Sequence, residues 1–79
     1  MRITLTLFGH LARYLPATGD RGKAVIEVGA GQTVSDVLDS VGLPESERGY
    51  VTVNGRRASL QSTLSDGDEV RVIVPLGGG

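Results

Sequence analysis

The chain has 79 residues, no cysteine, a single histidine and a formal net charge of −1. That length makes one domain with a thin core, since a chain of this size buries only about 60% of its unfolded surface. Without cysteine there is no disulfide, thiolate metal site, iron–sulfur cluster or cysteine nucleophile, and the near-neutral charge gives no footprint for a nucleic-acid partner.

Hydrophobic residues make up 39% and charged residues 22%, a globular balance and not that of a disordered chain. No apolar run approaches the length of a membrane span. Met1–Thr4 lacks the apolar core of a signal peptide, so a cytoplasmic protein with no membrane partner is expected.

Arg2–Phe8 alternates, with Ile3, Leu5 and Leu7 on one face and Arg2, Thr4 and Thr6 on the other. Period two with branched residues predicts a half-buried strand, ended by Gly9. His10–Leu15 predicts one or two helical turns stopped at Pro16. His10 and Tyr14 there are either partner-facing or solvent-facing on a connector. Ala17–Lys23 reads as a mobile loop. Ala24–Val28 predicts a second strand, antiparallel to the first, because a parallel crossover needs a fuller helix.

Thr33 is a good N-cap with Asp36 three residues on, and Val34, Val37, Leu38 and Val41 make one apolar stripe. Gly42 suits the left-handed position after the helix, and Pro44 prevents continuation. Asp36 is accounted for by capping and the helix dipole, Asp39 by solvation, so the pair does not read as catalytic. Glu45–Gly49 is a polar connector. Tyr50–Val53 predicts a strand, and Asn54-Gly55 a type I′ hairpin turn leading back through Arg56–Ala58. Ser59–Leu64 is irregular, with Leu60 and Leu64 available to plug the core. Glu69–Val74 predicts the last strand, with Val70, Val72 and Val74 inward and Arg71 and Ile73 outward.

The expected core is Ile3, Leu5, Leu7, Ile26, Val28, Val34, Val37, Leu38, Val41, Val53, Leu60, Leu64, Val70 and Val72. One helix with one apolar stripe covers one sheet face only. The element order fits an α+β domain over residues 1–74: a mixed sheet of four to five strands, first and last strands central and parallel, one main helix across it. This is the β-grasp, or ubiquitin-like, fold.

Residues 75–79, Pro-Leu-Gly-Gly-Gly, read as a flexible tail. Three glycines carry no side chains and present a thin backbone thread whose reactive group is the Gly79 carboxylate. That group has an ordinary pKa of roughly 3.3–3.7 and is ionised at neutral pH. Pro75 is a rigid exit and Leu76 an apolar anchor. Ile73 with Arg71, supported by Leu76, is the expected partner-binding surface.

Val53-Asn54-Gly55, then Thr63-Leu64-Ser65-Asp66-Gly67-Asp68-Glu69-Val70, then Pro75-Leu76-Gly77-Gly78-Gly79 together resemble the MoaD/ThiS sulfur-carrier family, over essentially the whole chain. Length and the Phe8-Gly9 junction are closer to its molybdopterin synthase small-subunit branch than to the thiamin carrier. The family's diglycine maps onto Gly78 and Gly79, leaving Gly77 as extra reach. The resemblance implies that a ubiquitin-activating-like adenylyltransferase uses ATP to adenylate Gly79. A sulfur donor then converts the adenylate to a thiocarboxylate, which delivers sulfur to a pterin precursor in the large subunit of molybdopterin synthase. Gly77 and Gly78 supply clearance in the channels, and no cofactor or metal is bound by the carrier itself. Other readings are sulfur carriage for thiamin or another metabolite, a ubiquitin-like modifier, and a non-reactive β-grasp interaction domain cut from a larger protein. As a modifier the chain has only Lys23 for building chains through lysine. An independent enzyme is not expected, because no nucleophile–base pair is available.

Overall fold

The computed structural model describes residues 1–16 and 19–74, so the tail residues Leu76, Gly77, Gly78 and Gly79 lie outside the described residues. Five strands form one sheet: β1 (Arg2–Leu7), β2 (Lys23–Glu27), β3 (Tyr50–Val53), β4 (Arg56–Ala58) and β5 (Glu69–Ile73), in the order β2-β1-β5-β3-β4. β1 and β5 pair in parallel at the centre, Leu5 opposite Val70 and Leu7 opposite Val72. Every other pairing is antiparallel. This is the expected mixed β-grasp sheet, and no described helix is long and apolar enough to cross a membrane.

The alternation read from sequence sets the faces. Ile3, Leu5, Leu7, Val70 and Val72 are buried, and the helix α1 (Val34–Ser40) adds Val34, Val37 and Leu38 to the same cluster. Ile26, Val41, Val53 and Leu60 pack on it only partly buried. The expected core omits Leu11, Leu43 and Val51, which are also buried. Val51 follows from the alternation that turns Val53 inward. Leu11 and Leu43 sit in connectors, where no periodicity marks them; tertiary folding tucks each connector against the core. Leu11 belongs to a 3-10 helix, Gly9–Tyr14, where one or two helical turns were expected.

Helix α1 is short, and its ends are held from outside. Thr33 Oγ1 accepts from the Asp36 amide at 3.2 Å, and Asp36 Oδ2 accepts from the Thr33 amide at 2.9 Å, the expected capping box. The Val34 and Ser35 amides donate to the Ser62 and Leu60 carbonyls. The irregular segment 59–64 is thereby stitched to the helix start. At the other end Gly42 has φ +78°; its amide donates to the Asp39 carbonyl and that of Leu43 to the Leu38 carbonyl, a Schellman motif.

Arg48 corrects the reading of Asp39 as merely solvated. Its side chain is 4% exposed, and its guanidinium donates twice to the Leu43 carbonyl and to Asp39 Oδ1 at 2.6 Å. Its donors satisfy the Leu43 carbonyl, in the segment that follows the helix, and its charge meets an aspartate of the helix's last turn. The connector Glu45–Gly49, which includes a 3-10 turn over Glu45–Glu47, exists in part to deliver this residue.

The residues that carried the family resemblance prove to be joints. Asn54 and Gly55 make the β3–β4 turn at φ +54° and +83°. The Asn54 side chain donates to Asp68 Oδ1 and accepts from the Glu69 amide, at 2.9 and 2.8 Å. Asp68 Oδ2 accepts from the Ser65 amide, and Asp66 Oδ1 from the Arg2 amide. The two turns at this end of the sheet are thus bound to each other and to β1. The segment Asp20–Lys23, expected to be mobile, is a tight turn: each of its two end residues donates an amide to the other's carbonyl.

At the opposite end, Gly49 leads into β3 against the exit of β5. A Cβ added there would overlap the Ile73 carbonyl and sit 2.9 Å from Val74 Cα. Two outcomes are expected. Leu38→Ala should cost about 2–5 kcal/mol in urea unfolding, since Leu38 is fully buried. Gly49→Val should cost about 1–3 kcal/mol and shift the Ile73 and Val74 amide resonances, because a side chain must push the end of β5 aside. Unmoved resonances there would refute the close approach.

Candidate functional site

β5 is the central strand from which the tail departs. Its pairing with β1 ends at Leu7–Val72 and its pairing with β3 at Tyr50–Ile73. Among the described residues no ladder pairing lies beyond Ile73. Val74 is accordingly exposed, not inward as expected. The described structure ends there, at the root of the tail.

The root sits beside an apolar cleft of about 330 Å³ lined by Phe8, Gly9, His10, Leu11, Ile73 and Val74. Gly9, at φ +57°, turns the chain sharply out of β1. The Phe8 ring is left 50% exposed at the strand end. An exposed aromatic next to a half-buried isoleucine is the usual anatomy of a docking pocket for an apolar side chain. His10 lines the same cleft and is tied through Nε2 to Glu47 Oε2 at 2.9 Å, which fastens the two 3-10 turns together. Tyr14 instead packs on the core, with the Arg13 guanidinium 5.3 Å from its ring centre.

Of the expected partner-binding residues, Ile73 falls in the cleft. Arg71 lies on the same sheet face but one row back, with Nη2 2.6 Å from Glu69 Oε1. Leu76 lies outside the described residues, as do Gly77, Gly78 and Gly79. Phe8, Leu11 and Val74 were not expected in the site. Phe8 was legible as an unpaired aromatic between the strand and Gly9; Leu11 and Val74 were not, because they join the site only through the fold.

The face opposite the helix carries further detail. Thr6 is on it yet only 4% exposed, and its Oγ1 has no hydrogen-bond partner; neither has Arg71 Nε, on the neighbouring strand. The Arg57 guanidinium lies 4.5 Å from the centre of the Tyr50 ring. Among the described residues no three His, Cys, Asp or Glu side chains are grouped to hold a metal ion. The local features are an apolar recess, a cation-bearing sheet face and the end of a central strand.

The comparisons with known proteins agree with this geometry. SAMP1 of Haloferax volcanii matches over 100% of both chains, at 28% identity and a TM-score of 0.76. A Pyrococcus furiosus protein provisionally named molybdopterin converting factor subunit 1 matches at 24% identity and a TM-score of 0.71, over 95% of this chain and 98% of that one. A complex of subunits 1 and 2 of the Helicobacter pylori molybdopterin-converting factor contains a chain matched at 17% identity and a TM-score of 0.61, over 100% of both chains. The last two, below 25% identity, carry the fold alone. No curated protein matches the sequence. The profile of the Mut7-C ubiquitin family matches residues 1–75. The β-grasp sheet, the joints at Asn54 and Asp68 and that match over nearly the whole chain lead to one assignment: the protein belongs to the Mut7-C ubiquitin family, with a MoaD/ThiS-like ubiquitin fold.

Proposed function

We propose that the protein is a sulfur carrier activated at Gly79, serving molybdopterin biosynthesis. The observation that carries this reading is the likeness to SAMP1 along the full length of both chains, which extends through the Gly tail. The pathway is proposed from the resemblance to the MoaD/ThiS family; two structures of the same fold are named as molybdopterin-converting factor subunits. The reading takes Gly79 as the terminal residue of the working protein.

A carboxylate resists nucleophiles because it is charged and lacks a leaving group. A partner adenylyltransferase, similar to ubiquitin-activating enzymes, removes both obstacles. A Gly79 carboxylate oxygen attacks the α-phosphorus of ATP, and pyrophosphate leaves. A sulfur nucleophile then adds to the acyl carbon and AMP departs, leaving the C-terminal thiocarboxylate. ATP belongs to the partner. Gly77 and Gly78 give a thread without side chains, able to enter a channel closed to any bulkier chain. The acceptor would be a larger synthase subunit, by analogy with the two-subunit complex from Helicobacter pylori.

A second reading shares the first step. The Haloferax relative is also named small archaeal modifier protein 1. As a modifier, this chain would pass its adenylated glycine to a lysine amine of another protein. Intact-mass analysis separates the two. After incubation with ATP, an activating enzyme and a sulfur source, carriage replaces one oxygen by sulfur, whereas modification gives conjugates.

Gly78→Val is expected to leave thermal stability unchanged while slowing thiocarboxylate formation about a hundredfold, because displacing a reacting atom by about 1 Å costs that much. Deleting Gly79 keeps a diglycine end but draws the carboxylate back by up to roughly 3.3–3.6 Å, and should be as damaging. Equal rates for Gly78→Val and wild type would rule the mechanism out. For docking, Ile73→Asp and Leu76→Asp should each weaken binding to the activating enzyme in calorimetry. Unchanged affinity in both would exclude the cleft.

A further inference from the structure

Lys23 is the sole lysine, and with the Met1 α-amine it makes up the primary amines of the chain. The tight turn Asp20–Lys23 fixes it as the first residue of β2, at the end of the sheet where β1 and β5 finish. Pairs directly opposite each other share a face. The registers place Lys23 of β2, Thr6 of β1 and Arg71 of β5 in one row, which Thr52 and Arg57 continue across the sheet. Lys23 is exposed, and among the described residues its side chain enters no ion pair.

This position lies within reach of the tail. Lys23 and Arg71 are separated by two strand spacings, roughly 10 Å, and Arg71 and Val74 by three residues, roughly 10 Å along the strand. The backbone of Lys23 is therefore about 14 Å from the tail root. Residues 75–79 extend to at most about 18 Å, and the flexible four-carbon stem of lysine adds reach from the other side. The other amine is out of range. Met1 lies six residues before Leu7, and Val72, opposite Leu7, lies two before Val74. Those eight steps span roughly 26 Å, more than the extended tail. The Met1 amine also donates to the Val28 carbonyl at 2.9 Å.

We propose that Lys23 is the acceptor site of an intramolecular acyl transfer: its amine captures the activated Gly79 carbonyl of the same chain, and the tail closes on the sheet through an amide. The step rests on the reading of Gly79 as an activated terminal residue. Lys23 Nζ, uncharged, adds its electron pair to the Gly79 acyl carbon. The bond from that carbon to the AMP oxygen breaks, AMP leaves with the bonding pair, and the nitrogen gives a proton to solvent. The step is a substitution and exchanges no electrons with another reagent. A tail that spans the gap holds its end near the amine at an effective concentration on the order of millimolar, which favours this lysine over that of a second copy. A carrier closed in this way has no terminal carboxyl group left to carry sulfur. The reaction withdraws activated carrier when no sulfur nucleophile takes the acyl group.

The test prepares the full-length chain with Gly79 as an alkyl thioester, a stand-in for the adenylate that needs no enzyme. Intact mass and tryptic mapping follow the product at several protein concentrations. The expected product is a monomer lighter than the free acid by one water, with Gly79 linked to Lys23, formed at a rate independent of concentration. Linkage through Met1 should be about tenfold rarer in the folded chain, and that preference should vanish in urea, where the tail meets both amines. Lys23→Arg keeps the charge, its amide spectrum verifies the fold, and it should give hydrolysis alone. In a second arm the activating enzyme and ATP replace the thioester, without a sulfur source. The same ring should accumulate, and under limiting sulfur Lys23→Arg should raise the thiocarboxylate yield. No adenylation in the second arm, with the ring formed in the first, refutes the sulfur-carrier reading alone. A ring through Met1 in the folded chain, conjugates between chains in place of the ring, equal hydrolysis of wild type and Lys23→Arg, or adenylate that accumulates without the ring would each overturn the proposal.

Discussion

Parallel pairing of β1 with β5 is the constraint on which the rest depends. It brings the first and last strands of the chain side by side at the sheet centre, Leu5 against Val70 and Leu7 against Val72. A strand buried in this way needs neighbours on both sides, and β2 and β3 supply them. It also needs a cover on its apolar face, which α1 supplies through Val34, Val37 and Leu38. Because β5 is central, the described chain ends just past a strand paired on both sides. The root of the tail is therefore anchored by ladders on both sides up to Ile73.

A small core leaves little surplus stability, and polar joints complete the frame. Asn54 and Asp68 bind two turns together, Arg48 closes the end of the helix, and Thr33 with Asp36 closes its start. Each satisfies backbone groups that a short element leaves unpaired. Motif residues of this kind look functional in a sequence because they are polar and regularly spaced. Here their work is structural, and the apolar cleft lies at the other end of β5.

The two faces of the sheet divide the labour. The helix side holds the apolar cluster. The opposite side carries half of the cationic side chains, and at the tail root it borders the apolar cleft.

The local pattern of the sequence was enough to determine the elements and their inward faces. Period two in Arg2–Leu7 and Glu69–Ile73, the apolar stripe from Val34 to Val41, and the Asn54-Gly55 turn each act over a few residues, where propensity and burial agree. Tertiary structure alone decided the rest. Leu11 and Leu43 are buried because connectors fold back on the core, and no periodicity can announce that. Arg48 is buried because its donors satisfy the Leu43 carbonyl and Asp39. Val74 is exposed because both ladders stop at its neighbours. The cleft of Phe8, Leu11 and Ile73, and the row from Lys23 to Arg57, join residues from opposite ends of the chain. Only strand register puts them in contact, and register is a property of the assembled sheet.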